Sequence, residues 1–131
     1  MPFAVVAAEN RCPCLSGETF GRCCRPFHQG DASAPTAERL MRSRYSAYVV
    51  GNRSYLLESW HPRTRPLELE LDPELRWYRL DILSTGGGGL LDTEGTVEFR
   101  AYYRSANGRG DQHELSRFVR EGRAWRYLDG S

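Results

Sequence analysis

Four cysteines close to the N-terminus are the residues of this chain best suited to chemistry. Cys12, Cys14, Cys23 and Cys24 lie within the stretch RCPCLSGETFGRCCRPFH, and no other position of the 131-residue chain holds a cysteine. Four thiolates gathered by a short loop suit zinc, which takes four sulfur or nitrogen ligands in a tetrahedron with bonds of about 2.3 Å to sulfur. A site with four protein ligands has no open position, so the pattern predicts a structural zinc knuckle.

Two alternatives to zinc stay open from the residues alone, a redox dithiol and plain structural cysteines. A redox pair normally has the spacing Cys-x-x-Cys at the start of a helix, whereas the spacing here is Cys-x-Cys followed by Cys-Cys. Adjacent ligands are unusual because neighbouring side chains must diverge before they reconverge on one ion. His28 is therefore an alternative to Cys24 as the fourth ligand.

Length and composition exclude several classes of protein. A chain of 131 residues is about one domain and can bury a core without disulfides. The net charge of +1 lacks the basic excess of a protein that binds nucleic acid non-specifically. No apolar run is long enough to cross a bilayer, and the N-terminal MPFAVVAAENR lacks the basic segment of a secretory signal. We therefore expect a cytoplasmic protein without nucleic-acid or membrane partners.

Two helices follow the cysteine segment and must position the next polar residues. Thr36 suits the N-cap of the first helix, apolar residues recur behind it at helical spacing, and Gly51 ends it. Asn52 caps a shorter second helix that Pro62 stops. The stretch LELEL at residues 67–71 alternates in polarity as a strand does.

From Trp77 onward the polarity pattern has a period of two and predicts four strands. Their sequences are WYRLDILS, GTVEFRAYYR, HELSRFVR and RAWRYLD. The run Gly86–Gly89 is expected to form a flexible hairpin loop, and Asn107-Gly108 is a turn signal. Helices followed by a run of strands predict an α+β fold, in which the helices pack on one face of a curved antiparallel sheet.

A second group of candidate residues is polar and accompanied by large aromatic side chains. It consists of Arg42, Tyr45, Tyr48, Trp60 and His61 from the helices, with His113 and Glu114 from the third strand. His61 could act as a general base, or it could cap the second helix beside a buried Trp60. A buried Glu114 would need Arg42 or Arg44 as a partner, because a buried charge must be paired. None of these residues is assigned a catalytic role.

The cysteine segment resembles the SEC-C motif, the zinc knuckle found at the C-terminal end of the protein-export motor SecA and attached to many other bacterial domains. CPCLSGETFGRCC follows the motif at its cysteines, at residues 16–17 and at Phe20. It departs at Leu15, where glycine is common, at Glu18, often lysine, and at Cys24, often histidine. The resemblance implies a zinc site made by the cysteines and a surface that docks a protein partner.

The rest of the sequence resembles the YchJ-like family of small, uncharacterised bacterial proteins, and this resemblance covers nearly the whole chain. It is carried by TAERLMRSRYSAYVVGNRSYLLESWHPRTRP, VEFRAYY and HELSRFVREGRAWRYLDG. The family implies a cone-shaped, nuclear-transport-factor-2-like roll at residues 31–131 behind a zinc knuckle at residues 1–30. It also implies a third short helical segment at residues 67–71, in place of a strand.

Two functions from different classes are compatible with these residues. In the first, the knuckle is an adaptor that docks a protein partner through Arg22, Arg25 and Phe27. In the second, the aromatic-lined cone binds or converts a small molecule through Tyr45, His61 and Glu114. The adaptor is the function we expect, and an enzymatic activity is uncertain because no set of acid and base residues is tied together by spacing.

Overall fold

Short helices precede a four-stranded sheet in the structure, a computed structural model that describes residues 3–131. A 3-10 turn at Phe20–Arg22 is followed by helices α1 (Arg25–His28), α2 (Ala37–Val50) and α3 (Arg53–Glu58). The strands are β1 (Arg76–Gly87), β2 (Glu94–Ser105), β3 (Gly108–Glu121) and β4 (Ala124–Gly130). The predicted α+β class and the order of helices before strands are confirmed. No helix in residues 3–131 has the length and apolar character needed to cross a membrane.

The sheet is an antiparallel meander with the strand order β1-β2-β3-β4. Irregularities in register interrupt β1 twice, at 77–79 and 82–84, and β4 once, at 127–129. An extra residue on one strand bends that strand and increases its twist, so these positions curve the sheet around the helices. Helix α2 packs against β1, β2 and β4.

The ends of the helices are set by local chemistry, as the sequence predicts. The Thr36 side chain accepts a hydrogen bond from the Arg39 N–H at 3.1 Å, which caps α2. Gly51 ends α2 in the left-handed conformation with φ 73°. The Asn52 side chain then accepts a hydrogen bond from the Tyr55 N–H at 3.1 Å and caps α3.

Residues 67–71 form neither the strand that their alternation predicts nor the helical segment that the family resemblance implies. Pro66 and Pro73 bracket the segment, and a proline forces the residue before it away from the helical conformation and donates no hydrogen bond. The side chains of Leu69 and Leu71 pack on the core. The segment is therefore an irregular stretch that apolar contacts hold in place.

Two other boundaries differ from the predicted ones. The predicted loop at 86–89 begins later, because Gly86 and Gly87 pair with Thr96 and Gly95 and extend β1. Helix α3 ends at Glu58, well before the proline that was expected to stop it. After α3 the chain runs beside β4, where the His61 N–H donates to the Tyr127 carbonyl at 2.8 Å.

The cysteine segment and the sheet share one hydrophobic core. Buried side chains of the knuckle, such as Cys12 and Phe20, belong to the same cluster as Leu40 of α2 and Phe99 of β2. Helix α2 is the element between them. One side of α2 contacts the cysteines and the other faces the sheet, so α2 connects the knuckle to the sheet.

Candidate metal centre and cone cavity

Short backbone hydrogen bonds fold the knuckle back on itself. The Cys12 N–H donates to the Glu18 carbonyl at 2.9 Å, and the Leu15 N–H donates to the Cys12 carbonyl at 3.1 Å. This reversal places Leu15 in the left-handed region, with φ 64°, and Gly17 also has a positive φ of 95°. The turn directs the thiols of the first two cysteines towards the second pair.

The four thiols converge on one point. All four sulfur atoms lie within 4.8 Å of one another, with 3.6 Å between those of Cys14 and Cys23 and 3.9 Å between those of Cys23 and Cys24. Tetrahedral zinc with sulfur bonds of about 2.3 Å requires neighbouring sulfurs about 3.8 Å apart. A disulfide requires about 2.05 Å, so the spacing fits a shared ion and not a disulfide.

Adjacent cysteines reach the same point because the backbone bends sharply between them. Cys23 follows the 3-10 turn with φ −114° and ψ −91°, whereas Cys24 at the start of α1 has φ −86° and ψ −26°. Each of the four cysteine residues is at most 6% exposed. A cluster this enclosed offers an ion four ligands and no position for substrate, which is the arrangement of a structural metal.

The four thiols influence one another's protonation. Hydrogen bonds with Cys12 and Cys24 lower the pKa of Cys14, whereas hydrogen bonds with Cys12 and Cys14 raise the pKa of Cys24. Burial raises the pKa of Cys23 to about 11. One thiolate therefore forms at the expense of the others, and four can form together only when a cation compensates their charge.

Side chains of α2 hold the cysteine cluster from the other side. The Ser46 hydroxyl donates to the sulfur of Cys24 at 3.3 Å and lies 3.5 Å from that of Cys12. Arg42 donates to the Cys14 carbonyl at 2.6 Å and to Glu38 at 3.0 Å. These contacts fix the knuckle on α2 and place a positive charge beside the thiols.

His28 lies outside the cluster. Its Nε2 atom is 2.8 Å from the Ser43 carbonyl, and its ring packs between those of Phe20 and Tyr55. Burial lowers the pKa of His28, so it serves as a neutral packing residue. Within residues 3–131, the group that could hold a metal ion includes Cys24 and does not include His28.

A cavity lies between α2 and the sheet, on the side of α2 away from the knuckle, and we call it the cone cavity. Its volume is about 80 Å³. Helix α2 and all four strands contribute to its wall, which contains Met41, Arg44, Tyr45, Tyr48, Trp77, Phe99, Ala101, Gln112, Glu114, Ser116 and Tyr127. The cavity therefore combines aromatic rings with one cation and one carboxylate.

Arg44 is the cation of the cavity and is only 4% exposed. Its Nη1 atom donates to the Leu56 carbonyl at 2.8 Å and to the Ser59 hydroxyl at 2.7 Å. Its guanidinium lies 4.9 Å from the ring centre of Trp60 and 4.6 Å from that of Tyr127. Carbonyl, hydroxyl and ring faces thus stabilise a buried charge that makes no ion pair within residues 3–131.

Glu114 is the carboxylate of the cavity and accepts three hydrogen bonds. The donors are Gln112 at 3.3 Å, Ser116 at 2.5 Å and Tyr127 at 3.1 Å. A Cβ atom at Gly130 would collide with the Glu114 carboxylate. Glycine at that position therefore makes the room in which the carboxylate lies.

Comparison with known proteins agrees with both parts of this architecture. The family model described as YchJ, middle NTF2-like domain, matches residues 36–130, and the SEC-C motif model matches residues 10–26. This chain belongs to the YchJ-like family. A relative of this YchJ-like chain, a UPF0225 protein of Streptomyces coelicolor, is 56% identical over 119 residues, which are 91% of this chain and 93% of the relative. A UPF0225 protein of Corynebacterium glutamicum is 53% identical over 121 residues, 92% of this chain and 96% of the relative.

Two solved structures resemble the YchJ-like chain in fold. The solution structure of a SEC-C motif containing protein from Rhodopseudomonas palustris has a TM-score of 0.81 and 33% identity, covering 92% of this chain and 96% of that one. The crystal structure of a SEC-C motif containing protein from Psychrobacter arcticus has a TM-score of 0.77 and 29% identity, covering 93% of this chain and 82% of that one. The nuclear-transport-factor-2-like fold expected from the resemblance is thereby confirmed.

Three of the predicted pocket residues of the YchJ-like chain, Tyr45, Tyr48 and Glu114, line the cone cavity. The sequence reasoning missed Trp77 and Tyr127, which reach the cavity from the two outer strands. Gln112 and Ser116 were also missed, although they alternate with Glu114 on β3. That alternation was a usable signal, because residues two apart on a strand share a face.

The other four predicted pocket residues lie outside the cavity wall. Arg42 is turned towards the knuckle, so Arg44 is the arginine of the cavity. Trp60 lies behind Arg44 and is half-buried, not buried in the core as expected. His61 neither caps α3 nor enters the cavity, since its Nε2 atom is 2.9 Å from Glu121. His113 is on the outer face of the sheet, 2.7 Å from Glu98.

One of the three residues expected to contact a partner is inaccessible. Phe27 is buried, with the Arg39 guanidinium 5.1 Å from its ring centre. Helix α1 turns this ring onto the core, so Phe27 packs the knuckle instead of presenting a surface. Arg22 and Arg25 are exposed.

Proposed function

We propose that this YchJ-like protein binds one structural zinc ion through Cys12, Cys14, Cys23 and Cys24, and that the folded knuckle is an adaptor surface for a protein partner. The observation that carries the proposal is the convergence of four buried thiols within 4.8 Å. Four thiolates around one ion favour zinc or iron, and they disfavour the hard cations that prefer oxygen ligands. An enclosed zinc ion supplies conformational stability and no catalysis, so the role of the knuckle lies in its outer surface.

The ligands of the metal can be tested with cobalt as a spectroscopic probe. The protein is unfolded with chelator and reductant, then refolded with Co²⁺. Intense visible absorption typical of tetrahedral thiolate coordination is expected, and it should bleach when one equivalent of Zn²⁺ is added. Cys24→Ser should weaken the spectrum, whereas His28→Gln, the matched control, should preserve it. Equal spectra for both variants would contradict the assignment of ligands.

The tip of the knuckle has features of a docking surface. Leu15 is 55% exposed although it is apolar, and the left-handed conformation it adopts costs a residue with a side chain about 1 kcal/mol or more. Strain of this kind is concentrated at functional sites. Arg22 and Arg25 are exposed and form no ion pair within residues 3–131. A partner segment with an apolar side chain flanked by carboxylates would match this surface.

Site-specific photo-crosslinking tests the adaptor role. A photoreactive residue at Leu15 is compared with one at Leu91, an exposed leucine in the loop between β1 and β2. Position 15 should give a discrete crosslinked protein in cell extract that position 91 does not give. Arg22→Glu should reduce that product by reversing a charge at the surface. Identical products at both positions, or no effect of the charge reversal, would overturn the adaptor proposal while leaving the zinc site untouched.

A further inference from the structure

Three arginines lie side by side on the outer face of the sheet. Arg76 of β1 pairs in register with Arg104 of β2, which pairs in turn with Arg109 of β3. Residues directly opposite each other on antiparallel strands project from the same face, with Cβ atoms about 4.5–5.5 Å apart. The next residue of β1, Trp77, lines the cone cavity on the inner face, so the three arginines project outwards. We call them the arginine row.

No acidic side chain of residues 3–131 forms an ion pair with the arginine row. The next two register positions of the outer face hold Asp111 and Asp81, but other arginines engage both carboxylates. Arg100 donates to Asp111 at 3.3 Å, and Arg79 donates to Asp81 at 3.0 Å. The end of the sheet that carries the row therefore has an uncompensated positive charge.

An aromatic ring holds two guanidiniums of the row together. The guanidinium of Arg104 lies 4.8 Å from the ring centre of Tyr78, and that of Arg109 lies 6.0 Å from it. Both arginines are exposed, and Tyr78 is 39% exposed. Their side chains make no hydrogen bond within residues 3–131. Two neighbouring guanidiniums thus keep their N–H donors free at the surface.

This arrangement costs stability in the absence of a ligand. Like charges directly opposite each other on adjacent strands destabilise a sheet, and the ring of Tyr78 offsets only part of the repulsion. Local features that oppose stability are expected at functional sites. An anion with several negative charges would remove the repulsion by bridging the guanidiniums.

The spacing of the row favours a phosphate chain over an acidic peptide. Adjacent strands are about 4.8 Å apart, whereas carboxylates on one face of an extended peptide repeat at about 6.7 Å. Consecutive groups of a phosphate chain share a bridging oxygen, so each phosphate is within reach of two neighbouring guanidiniums. A guanidinium also matches the geometry of phosphate, to which it donates two parallel hydrogen bonds.

We propose that the arginine row binds a linear chain of two or three phosphates, either inorganic or as part of a nucleotide. Arg104 binds at the centre of the chain, and Arg76 and Arg109 bind on either side of it. Tyr78 is a positioning residue that holds two of the guanidiniums. The site shares no residue with the knuckle or with the wall of the cone cavity, so it is independent of the proposed zinc site.

The probe for this proposal is inorganic triphosphate, titrated into the full-length protein and followed by chemical shifts. Shifts should cluster around the arginine row and leave the cysteines unchanged, which separates binding at the row from removal of metal. Sulfate, a single oxyanion, should bind at least about tenfold more weakly because it reaches fewer guanidiniums. ATP distinguishes the two sources of a phosphate chain. Affinity equal to that of triphosphate indicates recognition of the chain alone, and tighter binding indicates a nucleotide.

Protein variants complete the test. Arg104→Gln removes the central charge and keeps a polar side chain, so affinity for triphosphate should fall about three- to tenfold. Arg117→Gln is the matched control, because Arg117 projects from the same face of β3 but is paired with Asp129 at 2.6 Å; it should change the affinity less than about twofold. The proposal is overturned if triphosphate does not bind at the row, if sulfate binds equally well, or if the two variants behave alike. Equally tight binding of a tetraglutamate peptide would also overturn it and would make an acidic peptide the ligand.

Discussion

Removing the hydroxyl of Tyr45 should not destabilise the protein, whereas removing that of Tyr55 should. Both residues are buried, but the hydroxyl of Tyr45 has no partner and that of Tyr55 lies 2.6 Å from the Ser43 hydroxyl. An unsatisfied buried group costs about 1–3 kcal/mol and a satisfied hydrogen bond contributes about 0.5–1.5 kcal/mol. The space that the hydroxyl leaves empty offsets part of the gain from removing an unsatisfied group, so we expect Tyr45→Phe to change the free energy of unfolding by between zero and about +1 kcal/mol.

For Tyr55→Phe we expect a loss of about 1 kcal/mol, because Ser43 keeps only its second hydrogen bond, to the Leu40 carbonyl at 2.7 Å. Urea unfolding of the metal-loaded protein without ligand measures both values. In thermal unfolding, 1 kcal/mol corresponds to a shift of about 3–5 °C for a domain of this size. Equal destabilisation by the two substitutions would refute the reasoning, since it would mean that the Tyr45 hydroxyl has a partner in the native protein.

Three further predictions concern other parts of the molecule. Gly130→Ala should lower the free energy of unfolding by about 1 kcal/mol, because Glu114 must leave its hydrogen bonds. In a double-mutant cycle, Gly130→Ala combined with Glu114→Ala should lower the free energy of unfolding by less than the sum of the two single substitutions. Leu15→Val should cost about 1 kcal/mol in urea unfolding, since a β-branched residue is strained at φ 64°, whereas Leu15→Gly should not. Burial raises the pKa of Tyr55 from 10 to about 12, so the unfolded state loses this proton first. The stability that comes from keeping Tyr55 neutral is complete below pH 10 and is lost as the pH rises to about 12. Between these values Tyr55→Phe should make the free energy of unfolding fall less steeply with pH, by up to about 1.4 kcal/mol per pH unit.

The parts of the fold that depend on neighbouring residues could be predicted from the sequence. The caps at Thr36 and Asn52 are hydrogen bonds to a residue three positions further along the chain, and Gly51 ends α2 through its own backbone conformation. Alternation on β2 placed Val97 and Phe99 on the buried face correctly, with Glu98 between them less buried. In residues 67–71 the same alternation of polarity gave a wrong prediction of a strand, because alternation specifies a strand only when another strand is available to pair with it.

The cavity could be predicted only in part because tertiary geometry decides which side chains meet there. Tyr45 and Tyr48 lie on the face of α2 turned to the sheet, which follows from helical spacing. Trp77 lies at the first register irregularity of β1, and Tyr127 comes from the far edge of the sheet, so their approach to α2 depends on curvature. The sequence alone does not show that His113 lies on the outer face of the sheet. Its face depends on the register of β3, since a shift of one residue exchanges the two faces.

Zinc content per chain, measured by native mass spectrometry on untagged protein purified without added metal, tests the central claim most directly. We expect one zinc ion per chain, with the four thiols protected from alkylation until the protein is unfolded or the metal is chelated. Loss of the ion should also lower the melting temperature, since the knuckle is part of the hydrophobic core. A chain that is fully folded without metal, or that has a disulfide between these cysteines, would contradict it.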